Sequence, residues 1–464
     1  MFNKILIANR GEIAVRVERA CRELGIRTVA VYSEADRESL HLRLADEAVC
    51  IGPFSARESY LNQERILSAA KITRAQAVHP GYGFLAENAS FAKACRERGL
   101  AFIGPSPEAI AALGNKIAAK RLAESAGVPV IPGAVGDAKA LLKAAASIGF
   151  PVMVKAAAGG GGKGLRLVRE PDSLASELEK AASESLAAFG DGTLYLEKYI
   201  ECPRHVEIQL CVDADGRAAA AVERDCTVQR RHQKLIEESP SPAVGAELRR
   251  RIQDAALRLA KASGYVNVGT VEFLLDAGGR FYFMEVNTRL QVEHPVTETV
   301  TGLDLVVEQI RLAAGEPLSF SQARASEIRA HAIEHRINAE DPDRGFAPNP
   351  GRIEALTLPG GPGVRVDTHL YPGYTIPSYY DSLIAKLIVG APDRKSALAR
   401  AQRALREFVL EGVATTIPFH LRVLGDERFL RGDFDTHFAA HLLKEAASPK
   451  PQDAVRGREP AART

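Results

Sequence analysis

Three oxygen-bearing side chains, those of Glu272, Glu285 and Asn287, have the types and spacing to bind a metal ion. The apolar runs that carry them flank Gly278-Gly279, a pair typical of a two-residue β-hairpin turn with positive φ. Such a turn pairs Glu272 with Glu285 across the hairpin, and the strand period of two puts Asn287 on the same face. Because directly opposed carboxylates repel each other, we expect a positive charge between them. The set suits Mg²⁺ or Mn²⁺ together with the phosphates of a substrate.

The opposite face of this predicted hairpin is apolar and is expected to enter the core. An alternative is a solvated hairpin tip whose glutamates face water. Arg289, Glu293 and His294 follow within a few residues, and this concentration of charge favours a metal-phosphate site. The residues assigned to the core face are Val271, Phe273, Leu275, Tyr282, Met284 and Val286.

The composition is that of a soluble globular protein with several cores. The length of 464 residues allows about three domains of ~150 residues each. A net charge of +2 argues against nucleic-acid or anionic-membrane binding, and no apolar stretch approaches the ~20 residues of a membrane span. The six cysteines are scattered without a CxxC pair, as is typical of reduced thiols in a cytoplasmic protein.

Strand and helix patterns alternate in the first hundred residues and predict a small parallel α/β domain. Antiparallel strands dominate further on, with a glycine-rich α+β unit inserted before them. The expected divisions are an α/β domain at 1–114, a second domain at 115–316 whose lid subdomain covers about 131–203, a mixed α+β domain at 330–445, and a disordered polar tail at 448–464.

A glycine loop at 159–164 formally matches G-x-G-x-x-G. A dinucleotide fold requires a helix after the loop, but the sequence continues as a strand from Leu165. A Walker A loop requires Ser or Thr where Gly164 stands. A glycine loop between two strands is instead suited to cover ATP phosphates with backbone N–H groups. Lys155, at the end of the preceding apolar run, is expected to point toward the nucleotide.

Several further residues are candidates for nucleotide or anion binding. The run Glu197-Lys198-Tyr199-Ile200 offers either an adenine-binding edge or a plain edge strand. His205 and His232 are isolated in the sequence, and a lone histidine is more often structural than catalytic. His232, however, lies in a segment, 223–234, that is too densely charged to predict a core strand. Lys234 and Arg289 could bind a small planar anion.

His331 and His335 belong to an H-x-x-E-H sequence, a zinc-peptidase pattern. That chemistry requires a helix, but Ile333 and Ile337 alternate with polar residues and predict a strand. On a strand, the two histidines lie about 13 Å apart at ~3.3 Å per residue, too far to share a metal ion. Zinc is therefore not expected here, and Arg336 shares the other face with Glu334.

The chain resembles biotin carboxylase, an ATP-grasp ligase, over about residues 1–445. The resemblance implies an α/β and α+β architecture: an ATP-grasp fold with an N-terminal parallel α/β (pre-ATP-grasp) domain, a mobile glycine-rich lid subdomain and a C-terminal mixed α+β domain. The matching segments are 7–14 (IANRGEIA), 79–85 (HPGYGFL), the glycine loop, 203–207 (PRHVE), 223–226 with 229–234 (ERDC and QRRHQK), 285–294 (EVNTRLQVEH) and 336–340 (RINAE).

The resemblance also implies a reaction. Bicarbonate attacks the γ-phosphate of ATP to give carboxyphosphate, and the released CO₂ carboxylates N1′ of biotin. The implied ATP-binding residues are Lys116, Lys155, Gly161, Gly162, Glu197, Lys198, Tyr199, Ile200, His205 and His232, with Glu272 and Glu285 through the metal. The implied metal ligands are Glu272, Glu285 and Asn287; Lys234, Arg289 and the Val292 backbone bind bicarbonate; Glu293 is the base; and Arg336 stabilises the biotin enolate.

Neither Met153 nor Met284 neighbours a lysine, whereas biotin is attached to a lysine flanked by methionines. We therefore expect the biotin carboxyl carrier protein and the carboxyltransferase subunits to be separate partners, and the resemblance implies a homodimer. Acetyl-CoA carboxylase, and so fatty acid biosynthesis, is the first expectation for the acceptor; propionyl-CoA, pyruvate and 2-oxoglutarate stay open. The alternatives are another ATP-grasp carboxylate–amine ligase and a catalytically silent scaffold.

Overall fold

The first part of the chain is a parallel sheet flanked by helices, as predicted. The computed structural model describes residues 1–156, 166–189 and 192–447. Five parallel strands lie in the order β3-β2-β1-β4-β5, and the side chains at 5–7 are fully buried at their centre. The elements are β1 Lys4–Ile7, α1 Gly11–Glu23, β2 Arg27–Ser33, α2 Leu40–Leu44, β3 Glu47–Gly52, α3 Gln63–Thr73, β4 Ala77–His79, α4 Ala89–Glu97, β5 Ala101–Phe102, α5 Pro107–Gly114 and α6 Lys116–Ser125.

The next segment is a small antiparallel sheet covered by two helices. Its strands lie in the order β6-β9-β7-β8, and Val152, Val154, Leu194 and Leu196 form its buried core. The glycine loop at 159–164 lies outside the described residues, and the next described element in the sequence is a strand, β8, as predicted. The elements are β6 Gly133–Gly136, α7 Ala138–Ile148, β7 Val152–Ala156, β8 Arg166–Val168, α8 Pro171–Phe189 and β9 Leu194–Lys198.

A nine-stranded sheet carries the candidate site. Eight strands follow the order β15-β14-β10-β12-β13-β16-β21-β20, and β11 pairs with β10 at one side. The pairing of β13 with β16 joins strands from both sides of the connection at 317–330 into one sheet. The elements up to that connection are β10 Arg204–Val212, β11 Ala218–Ala220, β12 Arg224–Arg230, β13 Gln233–Ser239, α9 Ala246–Ala262, β14 Asn267–Leu275, β15 Phe281–Asn287, α10 His294–Thr301, α11 Leu305–Ala313 and α12 Gln322–Ala325.

The last segment adds three long strands to this sheet and packs helices against them. Phe419, Phe429 and Leu405 are among the side chains that fill its core. The elements are β16 His331–Asn338, β17 Glu340–Asp341, β18 Ala347–Pro348, β19 Ala355–Thr357, β20 Val364–Thr368, β21 Leu383–Ala391, α13 Arg394–Glu407, β22 Val409–Glu411, α14 Ile417–Val423, α15 Glu427–Arg431 and α16 Phe438–Ala447.

The structure also bears on the expectations for the cysteines and for membrane-spanning segments. All six cysteines are free, with Cys50 and Cys202 exposed and the other four buried. Within the described ranges, no helix combines the length and apolarity needed to cross a membrane. The predicted tail at 448–464 lies outside the described residues.

Candidate active site

The hairpin of β14 and β15 brings Glu272 and Glu285 face to face, which confirms the predicted pairing. The predicted turn is wrong. Asp276 and Arg280 close it, so the loop has three residues, and Gly279 alone of the glycine pair takes a positive φ (+76°). A register shift between Glu272 and Phe273 compensates and restores the glutamate pair.

The one-residue difference near the turn also changes the core face. A shift of one residue moves every side chain of a strand to the other face. Phe281 and Phe283 are therefore buried, with Phe283 paired to the buried Phe273. Tyr282 and Met284, which the sequence assigned to the core, are only partly buried.

The glutamate pair is part of a longer row of directly paired residues. Glu272 on β14 pairs with Glu207 on β10, and Glu207 pairs with Arg224 on β12. The row therefore runs Glu285, Glu272, Glu207, Arg224 across four strands. Arg224 is fully buried, and its Nε donates to Glu207 Oε1 across 2.5 Å. The expected positive charge is thus supplied in part by the sheet itself.

Lys234 supplies the rest of that positive charge. Its Nζ lies 2.7 Å from Glu207 Oε2, 2.8 Å from Glu272 Oε1 and 2.6 Å from Glu293 Oε1. Burial lowers the pKa of Lys234, but the surrounding acidic groups outweigh it and hold the pKa well above its usual value. Lys234 is therefore an ammonium that three crowded carboxylates share.

Glu272 is held on both oxygens. Oε1 also accepts from Asn287 Nδ2 at 2.8 Å and Gln291 Nε2 at 3.2 Å, and Oε2 lies 3.0 Å from His205 Nε2. Burial raises the pKa of Glu272, but Lys234 and His205 outweigh it and lower the pKa far below 4.5. Glu272 is therefore ionised at any physiological pH.

Glu293 sits between two cations at the N-terminus of α10. Lys234 contacts one oxygen, and Arg336 NH2 donates to the other, Oε2, across 2.8 Å. Arg336 also donates through Nε to Glu237 Oε1 across 2.6 Å. Burial raises the pKa of Glu293, but Lys234 and Arg336 outweigh it and hold the pKa well below 4.5. The geometry is that of an ionised carboxylate enclosed by donors.

Arg289 lies at the entrance beside the metal-ligand candidates. Its Nε donates to Glu87 Oε2 across 3.0 Å, NH2 to Asn287 Oδ1 across 3.3 Å and NH1 to Gln291 Oε1 across 3.0 Å. The side chain is 18% exposed, so it is shielded but accessible to a small anion. Both cations predicted to bind an anion, Lys234 and Arg289, therefore border the same group of residues.

The nucleotide-binding candidates lie on the neighbouring segments. Lys155 forms an ion pair with Glu197 on the adjacent strand, and Lys198 Nζ donates to Phe150 O across 2.5 Å. Lys116 reaches Glu285 Oε2 at 3.2 Å. Gly161 and Gly162 lie outside the described residues.

The strand that carries Glu197 and Lys198 is internal, because β9 pairs with both β6 and β7. The alternative of a plain edge strand is therefore wrong. Tyr199 and Ile200 follow its last residue and are partly buried, and the Tyr199 hydroxyl lies 3.4 Å from His437 Nε2.

The charged segment 223–234 does form a core strand, contrary to expectation. Residues 224–228 of β12 are buried, because Arg224 is paired with the buried Glu207 and Asp225 is paired with Arg204. His232 occupies the exposed turn between β12 and β13 with a φ of +66°. Of the two isolated histidines, the structure therefore places His205 against Glu272 and His232 at the surface.

The H-x-x-E-H sequence lies on strand β16, as predicted. His331 Nε2 lies 2.9 Å from Glu238 Oε2, and His335 packs edge-on against His420. Among the described residues, the groups with metal-binding geometry are His205, Glu207 and Glu272, and Glu207, Cys226 and Glu293. Neither group includes the two histidines of the pattern.

Sequence reasoning missed Glu207, Arg224 and Glu237 as members of the site. Each is a charged residue that lies within a strand and has no exposed surface. Glu207 is a lone charge between apolar strand residues and was an available signal, whereas Arg224 and Glu237 stand beside other charged residues. The partners of Glu207 depend on pairings between separate strands.

The oxygen donors fit a hard divalent cation. Glu285 has a one-third exposed side chain and contacts Lys116, whose side chain is 83% exposed, so its carboxylate is open to an ion. Asn287 shares a strand face with Glu285, the partner of Glu272, and carboxylate and amide oxygens are the ligands that Mg²⁺ prefers.

Comparisons with known proteins show the class of protein to which the chain belongs. Residues 115–321 match the family described as "Carbamoyl-phosphate synthase L chain, ATP binding domain", an ATP-grasp domain. Residues 1–110 match "Biotin carboxylase, N-terminal domain" and residues 334–441 match "Biotin carboxylase C-terminal domain". The chain belongs to the biotin carboxylase family and is an ATP-dependent ligase of that family. These matches favour biotin carboxylase over a ligase for another amine.

Individual relatives agree over almost the whole chain. A biotin carboxylase of Nostoc sp. is 54% identical over 96% of this chain and all of its own length. One of the pyruvate carboxylase subunits of Methanothermobacter thermautotrophicus is also 54% identical, over 94% of this chain and 89% of its own.

Among solved structures, the biotin carboxylase domain dimer of Hydrogenobacter thermophilus 2-oxoglutarate carboxylase has a TM-score of 0.87 and 48% identity. The match covers 96% of this chain and 99% of that one. It was solved with MgADP, ADP and bicarbonate. The relatives thus act in different carboxylases, and the chain is the biotin carboxylase component of a biotin-dependent carboxylase.

Proposed function

We propose that the chain carboxylates biotin on a separate biotin carboxyl carrier protein, using ATP and bicarbonate, as the first half-reaction of acetyl-CoA carboxylase. The observation that carries this proposal is the carboxylate of Glu293 enclosed by Lys234 and Arg336 beside the Glu272–Glu285 pair. A buried base between two cations can bind a small anion and remove its proton.

The first step uses the Lys234 side of the site. Lys234, Arg289 and the Val292 backbone bind bicarbonate, and Glu293 takes its proton as the bicarbonate oxygen attacks the γ-phosphate of ATP. Phosphoryl transfer depends mainly on positioning and charge neutralisation. Glu272, Glu285 and Asn287 would hold the Mg²⁺ or Mn²⁺, which neutralises phosphate charge when bound.

The second step uses Arg336. Carboxyphosphate decomposes to CO₂ and phosphate, the released phosphate takes the proton from N1′ of biotin, and N1′ attacks the CO₂. Arg336, which contacts both Glu237 and Glu293, presents its guanidinium to the developing enolate oxygen of the biotin ring. Lys116, Lys155, Glu197, Lys198, Tyr199, Ile200, His205 and His232, with Gly161 and Gly162, would bind the ATP.

The partners follow from this reaction. The carrier protein and the carboxyltransferase subunits supply biotin and the final acceptor, and the protein acts as a homodimer. Support comes from the named carboxylases among the relatives and from the dimer of the Hydrogenobacter domain. Light scattering at micromolar concentration tests the dimer, and copurification with native partners identifies the acceptor.

The decisive assay follows ADP release and incorporation of labelled bicarbonate into free biotin. We expect ATP cleavage that requires bicarbonate, is stimulated by biotin and yields acid-labile carboxybiotin. Folded protein that binds ATP but forms no carboxybiotin would contradict the proposal. Lys93→Met, which removes the exposed ion pair of Lys93 with Glu97, serves as a matched control and should keep the activity of the parent.

A further inference from the structure

We propose that Lys386 is a positioning residue for the segment that carries Glu293, and that Glu12 and Tyr82 hold Lys386 in place. The inference rests on the proposed role of the Val292 backbone and Glu293 in bicarbonate binding. It assigns a task to two motifs of the first hundred residues, IANRGEIA and HPGYGFL, for which the reaction itself gives none.

Lys386 reaches the active-site segment from the C-terminal part of the sheet. It lies on β21 directly opposite Arg336 on β16, and its side chain has no exposed surface. Its Nζ donates to the carbonyl oxygen of Val292 across 2.9 Å. Since Val292 directly precedes Glu293, this bond fixes the orientation of the peptide that joins them.

The N-terminal domain supplies the counter-charge. Glu12, in the first turn of α1, places Oε1 3.0 Å from Lys386 Nζ, and the Tyr82 hydroxyl donates to the same oxygen. Lys386 Nζ also lies 5.9 Å from the centre of the Tyr82 ring. An ammonium is buried at great cost unless it is paired in this way. Glu12 therefore supplies a counter-charge for Lys386 at its buried position.

Other acidic groups around Lys386 keep it charged. Asp367 is its partner across β20 and β21, and Glu334 lies on the adjacent strand. Burial lowers the pKa of Lys386, but Glu12, Glu334 and Asp367 outweigh it and raise the pKa. Lys386 is thus a fixed ammonium donor.

The arrangement holds Glu293 from both ends. Lys234 and Arg336 hold its carboxylate, whereas Lys386 holds the main chain immediately before it. A shift of this peptide by about 1 Å would misplace both the Val292 N–H and the Glu293 carboxylate relative to bicarbonate, and such misplacements cost about 100-fold in rate. Among the described residues, the two partners of the Lys386 ammonium, Val292 and Glu12, are not nucleotide-binding candidates.

The test is Lys386→Met in the full chain, assayed by bicarbonate-dependent ATP cleavage with free biotin. We expect kcat/KM for bicarbonate to fall by about 100-fold, with the KM for ATP changed less than about twofold. The matched control is Arg394→Gln, which removes another largely buried ion pair, with Glu238 at 2.8 Å, but does not contact the 287–293 segment. The control should keep the bicarbonate KM of the parent.

Hydrogen exchange provides a readout that does not depend on turnover. Lys386→Met should increase exchange of backbone amides in the peptide covering 288–294, and Arg394→Gln should not. If Lys386→Met does not fold, Glu12→Gln carries the test, because it removes the counter-charge and should raise the KM for bicarbonate and leave that for ATP unchanged.

Two results separate the inference from the proposed function. An unchanged bicarbonate KM and unchanged exchange in a folded Lys386 variant would overturn the positioning role, while the parent remained a biotin carboxylase. Absence of carboxybiotin formation by the parent would instead overturn the proposed function. If the Lys386 variant had KM values for ATP and for bicarbonate that rise by the same factor, the role of Lys386 would be merely structural. That result would also overturn the inference.

Discussion

The ammonium of Lys234 lies 2.6 Å from Glu293 Oε1, and this contact sets the proton affinity of the proposed base. Burial raises the pKa of Glu293, but the cations at Lys234 and Arg336 lower it well below 4.5. If Lys234 turns toward bicarbonate, Glu293 loses one stabilising charge and its proton affinity rises. Such a turn would make Glu293 a stronger base.

Glu293→Gln should abolish most of the activity without weakening ATP binding. Gln keeps the shape but accepts no proton, and loss of a general base typically costs about 10²–10⁴-fold in rate. We expect kcat for bicarbonate-dependent ATP cleavage to fall by about that factor, with the KM for ATP near that of the parent. Steady-state assays of ADP and carboxybiotin check this. A variant that turns over as fast as the parent would refute the assignment of the base.

Lys234→Met should destabilise the protein as well as inactivate it. The change leaves Glu207, Glu272 and Glu293 without their shared counter-charge, and breaking a buried ion pair costs about 3–5 kcal/mol. Since a divalent cation can replace part of that charge, Mn²⁺ should raise the melting temperature of the variant more than that of the parent. The exposed-pair variant Lys93→Met should melt like the parent with and without Mn²⁺.

The pairing of Glu272 with Glu285 was predictable because it depends on one local turn and the strand period. The prediction succeeded despite a wrong turn, since the bulge beside Phe273 offset the one-residue error. The bulge itself has no clear sequence signal, so Phe281 and Phe283 were assigned to the wrong face.

The ion pairs behind the hairpin were not predictable in the same way. Glu207 meets Glu272 and Arg224 only through the pairing of β10 with β14 and β12. Registers between distant strands are set by the packing of the whole sheet, and a single sequence does not state them. Lys386 shows the same limit, because its partners Glu12 and Val292 lie in the other two predicted domains. The sequence thus indicates which residues belong to the site, but it does not indicate which of them form ion pairs with one another.

Glu285→Gln should weaken the binding of the metal ion and should have little effect on the stability of the fold. The contact of Glu285 with the highly exposed Lys116 contributes little to stability. We expect the Mn²⁺ concentration for half-maximal activity to rise about tenfold or more, as for the loss of a ligand interaction, while the melting temperature stays near that of the parent.

Glu272→Gln is the contrasting variant. Its carboxylate is bonded to Lys234, Asn287 and Gln291, so its loss should lower the melting temperature even without metal. A Mn²⁺ titration of activity and a thermal melt of each variant distinguish the two roles. Equal melting temperatures for both variants would contradict the inference that the hydrogen bonds of Glu272 stabilise the fold more than the contact of Glu285 does.

Glu18 should make the stability of the protein fall as pH rises. It is 3% exposed on α1, and neither carboxylate oxygen has a hydrogen-bond partner among the described residues. Burial raises its pKa to about 9, against the opposing effect of Arg22 and Arg19. The folded state therefore retains a proton that the unfolded state releases near pH 4.5, and stability declines between these values by at most roughly 1.4 kcal/mol per pH unit.

Glu18→Gln removes this dependence because the amide stays neutral. The melting temperature of the variant relative to the parent should therefore increase steadily from about pH 6 to about pH 8.5 in paired thermal melts. Glu23→Gln is the matched control, since Glu23 lies on the same helix but is exposed, and its difference from the parent should not change with pH. A flat difference for Glu18→Gln over the same range would mean that its carboxylate is solvated in the folded protein, because only an exposed carboxyl keeps the pKa of the unfolded chain.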